Sequence, residues 1–342
     1  MLALGLDIGG ANLKAADAAG NWAERPFAIW RSPESLTTEL RALLAPFSGI
    51  EQIAVTMTAE LADCYRTKAD GIRQIVAAVK DVANHMPVKV WSTAGGFVDA
   101  EFLVAESSQA MLEFAASNWH ALVTWLASRF PAQDALLIDI GSTTTDIIPF
   151  GKSRVYAHGR TDFERLVAGE LLYTGIRRTP LCAVARTVEI GRKNCPLAAE
   201  LFATTQDVYL LLGELSEDVA NCDTANGRPA TRDEAWDRLV RQVCCDRTEI
   251  SQPEAVLIAR NFAEQQEQQI GEALNAVLRA SPTGYDCQTV IVSGSGRFLA
   301  QKILAKNAAL SRVEVIDISE ILKPAAPEAA CAYAAAQLAS SR

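Results

Sequence analysis

The amino-acid sequence predicts an α/β protein in which two similar halves face each other across a central cleft. Three observations predict it. Apolar strand patterns alternate with amphipathic helical patterns along the chain. A strand-and-turn segment near the N-terminus recurs, without a gap, near the middle. Finally, 342 residues with 49% apolar and 21% charged side chains are enough to build two cores.

Period-two patterning between turn residues predicts strands over 2–8, 12–17, 23–29, 51–57, 88–92, 134–140, 144–150 and 288–293. Period-3.6 patterning with cap residues predicts helices over 34–45, 70–84, 117–130, 205–213, 232–245, 254–279, 296–306 and 327–340. The last is Ala-rich with a Pro-containing start. The stretch "RFPAQD" (129–134) marks the main junction. The first half is therefore expected to span 1–131, and the second 132–326 with a helical insertion. The 327–340 helix is expected to pack back on the first half.

The net charge of −9 argues against a nucleic-acid backbone as partner, although an acidic surface is compatible with a basic pocket. No basic leader precedes "LALGLDIGG", and no run of about 20 apolar residues is present to span a bilayer. The expectation is a cytoplasmic protein with small-molecule partners, no membrane partner, and a homo-oligomer left open. Eight cysteines without a CxxC motif read as reduced thiols. Three histidines (His85, His120 and His158) without HExxH offer no zinc motif.

The repeat carries the chemistry. "ALGLDIGGANLKAAD" (3–17) aligns on "ALLIDIGSTTTDIIP" (135–149) at an offset of 132 residues. Alternation puts Ala11, Leu13 and Ala15 on one face of the first hairpin and Asn12 and Lys14 on the other. Thr144 and Asp146 occupy the equivalent polar positions of the second. Gly9, Gly10 and Gly141 let backbone N–H groups approach an anion. Ser142, Thr143 and Thr144 add hydroxyl donors, and Lys14 adds a point charge. Asp7 and Asp139 would repel a bare phosphate, so they make chemical sense as ligands of Mg²⁺, directly or through its waters. The pair of turns reads as a holder for a metal-complexed di- or triphosphate. No GxxxxGK[ST] is present, and "DIGGAN" lacks the third glycine and the following helix of a dinucleotide fingerprint.

A third element, "TVIVSGSGRFLAQKIL" (289–304), runs a strand through Ser293 and Gly294-Ser295-Gly296 into a helix. Such a turn can bind an anion or let a ring pack on the backbone. A tight strand-to-helix turn is the plainer alternative.

These three motifs, in this order, resemble the superfamily of sugar kinases, actin and Hsp70. Its members have two ribonuclease-H-like domains, two phosphate hairpins and a glycine-rich turn for adenosine. Within it the chain resembles the hydantoinase A/oxoprolinase branch over nearly its whole length. "TMTAELADCYRTKADG" (56–71), "AASNWHAL" (115–122), "GRTDFERLVAGELLYTGIRRTPL" (159–181) and "ELFATTQDVYLLLGEL" (200–215) are similar to the tetrahydromethanopterin-linked C1-transfer family. That family includes archaeal enzymes that join γ-glutamyltyramine to an aminomethylfuran diphosphate in methanofuran synthesis.

The resemblance implies a transferase that replaces diphosphate on a furfuryl carbon with a phenol oxygen. Asp7, Lys14 and Asp139 would hold the Mg²⁺-diphosphate leaving group. Glu60, Asp63, Asp146 and Glu170 are all candidates for the base that the phenol needs, and the sequence does not choose among them. Asp63, Lys68 and Arg178 are candidate substrate contacts. Asp162 reads as a helix cap, Asn118-Trp119 as helix packing, and Ala59 stands where relatives commonly carry glycine. Two other readings stand beside this one: an ATP-dependent small-molecule kinase or hydantoinase-type amidohydrolase, and a nucleotide-controlled binding protein.

Overall fold

A computed structural model describes residues 2–103, 106–322 and 327–341. Strands β1 (Ala3–Ile8), β2 (Asn12–Asp17), β3 (Trp22–Pro26), β4 (Gln52–Met57), β5 (Val88–Ser92) and β6 (Gly96–Asp99) form one sheet, ordered β3-β2-β1-β4-β5-β6. The second sheet contains β7 (Asp134–Ile140), β8 (Thr145–Gly151), β9 (Arg154–Val155) and β10 (Leu171–Leu172). A separate hairpin, β11 (Thr187–Ile190) and β12 (Lys193–Pro196), precedes the sheet's last strands, β13 (Cys287–Ser293) and β14 (Glu314–Asp317). The second sheet's order is β10-β8-β7-β13-β14, with β9 also paired to β8.

The two sheets share their wiring. β1 and β7 each pair antiparallel with the next strand and parallel with a distant one, β4 and β13 respectively. Every residue of β1 is buried, because a central strand flanked on both faces by helices needs apolar side chains on both.

Two helices lie between the sheets. Helix Asn118–Arg129 packs on β8 and β9, and the C-terminal helix Ala330–Ser340 packs on β1, β2 and β4. They meet through an edge-on Trp125–Tyr333 contact at 5.5 Å. One apolar cluster accordingly holds Ala16 of β2 together with Leu137 of β7 and Phe150 of β8. Gly5 makes the close approach on the first sheet feasible, since a Cβ there would stand 1.8 Å from the Ala332 carbonyl oxygen.

Beyond β12, helices Thr205–Leu212, Arg232–Arg241 and Gln252–Ala280 form an insertion. The fully buried Arg238–Asp207 pair locks it at 2.7 Å. No helix is long and apolar enough to cross a membrane among the described residues.

Several elements depart from the sequence-based expectation. The strand expected over 23–29 stops at Pro26; beyond it, the N–H groups of Phe27 and Ile29 donate to the carbonyls of Ala11 and Gly10, wrapping the chain around the first turn. Helix Asp162–Ala168 is capped by Thr161 in a capping box with Glu164, so Asp162 is not the cap but the first helical residue. The short strands β6 and β14 escaped the pattern because four residues carry too little periodicity.

Candidate active site

The twin turns coincide bond for bond. Gly9 N–H donates to the Asn12 carbonyl at 3.0 Å, and Gly141 N–H donates to the Thr144 carbonyl at 2.9 Å. The Gly10 carbonyl accepts from Ile29 N–H, and the Ser142 carbonyl accepts from the N–H groups of Arg177 and Arg178, all at 3.0 Å. The Ile8 carbonyl accepts from Thr58 and Ala59, and the Ile140 carbonyl accepts from Gly296. The turn at 293–296 is thus the second half's counterpart of the 57–59 loop. A Cβ on Gly10 would meet nothing within 4 Å, so the backbone there faces open space.

On the paired strands, Asp7 stands opposite Lys14 and Asp139 stands opposite Asp146. Burial, then the Asp146 charge, pushes Asp139 up to about 7; Asp7 adds to the rise, while Lys14 and Ser293 oppose it. Asp7 also lies above the ordinary carboxylate range, through burial first, with Lys14, Asn118 and Thr56 offsetting part of the effect. Carboxylates from the two sheets therefore feel each other's charge. Cys331, at the start of the C-terminal helix, belongs to the same cluster: desolvation, then Asp7 and Asp139, raises its thiol well above the ordinary range.

The Asp7 Oδ1 atom is buried and has no hydrogen-bond partner. Two desolvated carboxylates that share only Lys14 as an opposing charge, one with an orphaned oxygen, suit a hard divalent cation. The described residues hold no group of three or more side-chain metal ligands. Two carboxylates are a number that Mg²⁺ commonly takes from a protein, the rest of its shell being phosphate oxygens and water.

A second set of charges lies around Asp146. Asp146 is ion-paired with Arg165. The Arg165 guanidinium lies 4.0 Å over the Trp119 ring, and Arg165 also reaches Asp162 at 3.7 Å. Glu60, at the exit of β4, is 1% exposed. Its Oε1 accepts from Ala116 N–H at 3.1 Å, and its Oε2 is buried without a partner. Burial foremost raises Glu60 to about 7, with Lys68 lowering it and Asp162 raising it. The 58–68 segment and the start of helix Asp162–Ala168 therefore face each other.

Glu170 is held elsewhere. Its carboxylate accepts from the N–H groups of His158 and Gly159, at 2.6 and 3.1 Å, and so clamps that loop. Asp63 is exposed. Arg178 is exposed as well, and its guanidinium lies 5.3 Å over the Trp30 ring, which belongs to the first half. Ala59 is absent from the non-glycine residues with positive φ, so alanine costs no backbone strain there.

Close packing accounts for the glycines at 294 and 296. Gly294 has φ +82°, and a Cβ there would stand 2.2 Å from the Ile140 carbonyl oxygen and 2.4 Å from Asp139 Oδ1. A Cβ on Gly296 would stand 2.5 Å from Ile140 Cγ2. The turn, with Ser295 between them, sits directly against the Asp139 strand end.

Sequence reasoning missed four residues that shape this site. Asn118 reads from the sequence as helix packing, yet it acts on Asp7 from the start of its helix. Ser293 acts on Asp139, and buried Arg165 neutralises Asp146. Gly175 lies under the second turn, where a Cβ would come 2.5 Å from Thr143 N. Its carbonyl accepts from Gln266 Nε2 at 2.9 Å and Thr205 Oγ1 at 2.8 Å, which ties the helical insertion to the turn. A lone Gly or Arg within an apolar stretch carries no periodic signal; Asn118, just after a serine at a helix start, was the one with a visible cue.

Residues 51–342 match the hydantoinase/oxoprolinase family. The chain is 34% identical over 324 residues to the (4-{4-[2-(γ-L-glutamylamino)ethyl]phenoxymethyl}furan-2-yl)methanamine synthase of Methanocaldococcus jannaschii, covering 94% of this chain and 92% of that one. It is 32% identical over 188 residues to the synthase of the same name from Methanococcus vannielii, covering 55% of this chain and 82% of that one. A nucleotide-free acetone carboxylase structure, titled for ATP-dependent acetone carboxylation, aligns with a TM-score of 0.57 at 10% identity, over 97% of this chain and 69% of that one. That likeness is one of fold. The strand order of both sheets is that of the duplicated ribonuclease-H-like fold of actin and sugar kinases.

Proposed function

The chain belongs to the hydantoinase/oxoprolinase family, and from that premise we propose that it is a transferase of methanofuran-type cofactor synthesis. It displaces diphosphate from an aminomethylfuran diphosphate with the phenol oxygen of γ-glutamyltyramine, in the cytoplasm. The observation that carries this reading is the pair of matching turns, Gly9 to Asn12 and Gly141 to Thr144, each following a strand that bears a desolvated aspartate, in a chain that aligns with the synthase along nearly its whole length.

In this reading, lobes 1–131 and 132–326 close on the diphosphate. The Gly9-Gly10 and Gly141-Ser142-Thr143 turns offer N–H and hydroxyl donors to its oxygens, with Asn12 and Thr144 on the same polar face. Lys14 neutralises part of its charge. Asp7 and Asp139 would hold Mg²⁺, which when bound stabilises the negative charge that develops on the leaving oxygens. The furfuryl C–O bond breaks with its electron pair leaving on diphosphate, and the phenol oxygen bonds to the same carbon as its O–H bond breaks and the proton passes to a base in the site. Lys68, near Glu60, and Arg178, over Trp30, would serve as contacts for the glutamyl carboxylates. Arg165 and Glu170 serve to position Asp146 and the 158–159 loop.

The test is direct. The purified protein is incubated with γ-glutamyltyramine, the furan diphosphate and Mg²⁺, and mass spectrometry looks for the ether and for diphosphate. Ether formation supports the transferase. ADP formed from ATP with no ether would instead favour the kinase or amidohydrolase reading.

A further inference from the structure

The phenol of γ-glutamyltyramine must lose a proton as its oxygen bonds to carbon, and a phenol with a pKa of about 10 gives it up slowly at neutral pH without a base. The cleft holds several carboxylates, and their surroundings separate them. Asp7 and Asp139 are committed to the leaving group. Asp146 is ion-paired with buried Arg165. Glu170 accepts from two backbone N–H groups and contacts His158 Nδ1 at 3.3 Å. Asp162 lies 3.7 Å from the Arg165 guanidinium. Asp63 is exposed and not held in the cluster of buried carboxylates.

Outside the Asp7–Asp139 pair, Glu60 is the one carboxylate of this set, among the described residues, with an oxygen that is buried and without a hydrogen-bond partner. Its other oxygen is fixed by Ala116 N–H, so the group is oriented without being neutralised. It follows Thr58 and Ala59, whose N–H groups donate to the Ile8 carbonyl beside Asp7, and so stands one step from the metal-holding strand end. Gly71 presses on it: a Cβ there would come 2.4 Å from the Glu60 carbonyl oxygen, which pins the backbone.

We propose that Glu60 is the catalytic base that takes the phenol proton. The step balances. The phenol O–H bond breaks with its proton moving to Glu60 Oε2, the oxygen bonds to the furfuryl carbon, and the C–O electron pair leaves with diphosphate. The proton then passes to product diphosphate or water.

The charged groups facing Glu60 are Lys68, from helix Lys68–Ala83, and Asp162, from across the cleft, and they act in opposite senses. Burial is the larger effect and sets the group near 7, the range in which a base is half free at neutral pH and still strong. The active form is the deprotonated one, so the rate of ether formation is expected to rise with pH through about 7 and then level.

This inference rests on the transferase reading, and the experiment separates the two. Ether formation is followed from pH 5.5 to 9 for the wild type and for Glu60→Gln, which keeps an oxygen able to accept from Ala116. Each is assayed with γ-glutamyltyramine and with a ring-fluorinated analogue whose phenol is more acidic. Binding of inorganic diphosphate with Mg²⁺ is measured in parallel. With Mg²⁺ and the furan diphosphate saturating at every pH, so that the ionisation of Asp139 does not limit the rate, the expected result for Glu60→Gln is a loss of about 10²–10⁴-fold, disappearance of the limb near pH 7, partial recovery with the fluorinated phenol, and unchanged diphosphate binding. A Glu60→Gln rate within a few-fold of wild type with the limb intact overturns the role of Glu60 and leaves the transferase standing. So does a loss that the acidic phenol does not relieve. No ether from the wild type removes the transferase reading, and this one with it.

Discussion

Asp139 faces Asp146 across β7 and β8 at the register where Asp7 faces Lys14 across β1 and β2. One hairpin of the duplicated pair is charge-balanced and the other is doubly acidic. The second is made tolerable from outside the repeat: Arg165 takes Asp146, and Asp139 is left with a charge that only a cation or a proton can settle.

Asp139→Asn is therefore expected to weaken Mg²⁺-dependent diphosphate binding by at least about 100-fold, since it removes one of two anionic ligands and keeps the shape. The protein should fold at least as well, because a desolvated charge has been removed. Calorimetric titration with diphosphate and Mg²⁺, beside a thermal melt, checks both halves. Binding at the wild-type level would reject the metal role.

The elevated carboxyls have a signed consequence for stability. Asp139 and Glu60 shift upward to about 7 from ordinary values of 3.8 and 4.5. Between those limits the folded chain holds protons that the unfolded chain has released, so stability is present below this window and lost as pH rises through it. Mg²⁺-diphosphate affinity should run the other way, rising toward pH 8 as Asp139 ionises. Melting temperatures at pH 5 and pH 8, with and without Mg²⁺-diphosphate, should converge when the ligand is present. A flat profile without ligand would contradict the burial of these groups.

Gly175→Ala tests whether the insertion supports the second turn. The added methyl would meet Ser142 C and Thr143 N, both at 2.5 Å, and the Gly141 carbonyl oxygen at 2.6 Å. Backbone atoms do not step aside cheaply, so a cost of about 1–3 kcal/mol in stability is expected, along with weaker diphosphate binding. Gln266→Ala, which removes donors to Thr174 Oγ1 and the Gly175 carbonyl, should lower stability by about 1–3 kcal/mol. Denaturant unfolding of both variants measures the effect, and a shift in binding with none in stability would place the defect in the turn alone.

Arg165→Met leaves the Asp146 carboxylate with no cation at a largely buried position and strips a guanidinium from the Trp119 ring. A loss of about 3–5 kcal/mol is expected. Adding Asp146→Asn should restore part of it, because the stranded charge is gone. If the double variant is no better than the single one, the packing on Trp119 and not the ion pair holds this wall.

The repeat made the architecture legible early. The offset of 132 residues places Asp7, Gly9, Asn12 and Lys14 over Asp139, Gly141, Thr144 and Asp146, and the turn hydrogen bonds of the two halves follow that correspondence. The Gly294-Ser295-Gly296 motif is open in the sequence to two readings, a subsite for an anion or ring and a tight strand-to-helix turn. Its glycines are explained by contacts with Ile140 and Asp139, more than 150 positions earlier in the chain, which no local pattern encodes.

The sequence by itself determined the doubled α/β wiring, the twin turns and which side chains share a face, because strand alternation and turn chemistry act over a few neighbouring residues. Only the tertiary structure decided what each buried charge finds. Glu170 meets the N–H groups of a loop, Asp146 meets Arg165, and Glu60 meets Ala116 with one oxygen and nothing with the other. The ionisation of a carboxylate depends on its depth and on the charges around it, and those arrive from segments tens of residues apart once the chain has closed.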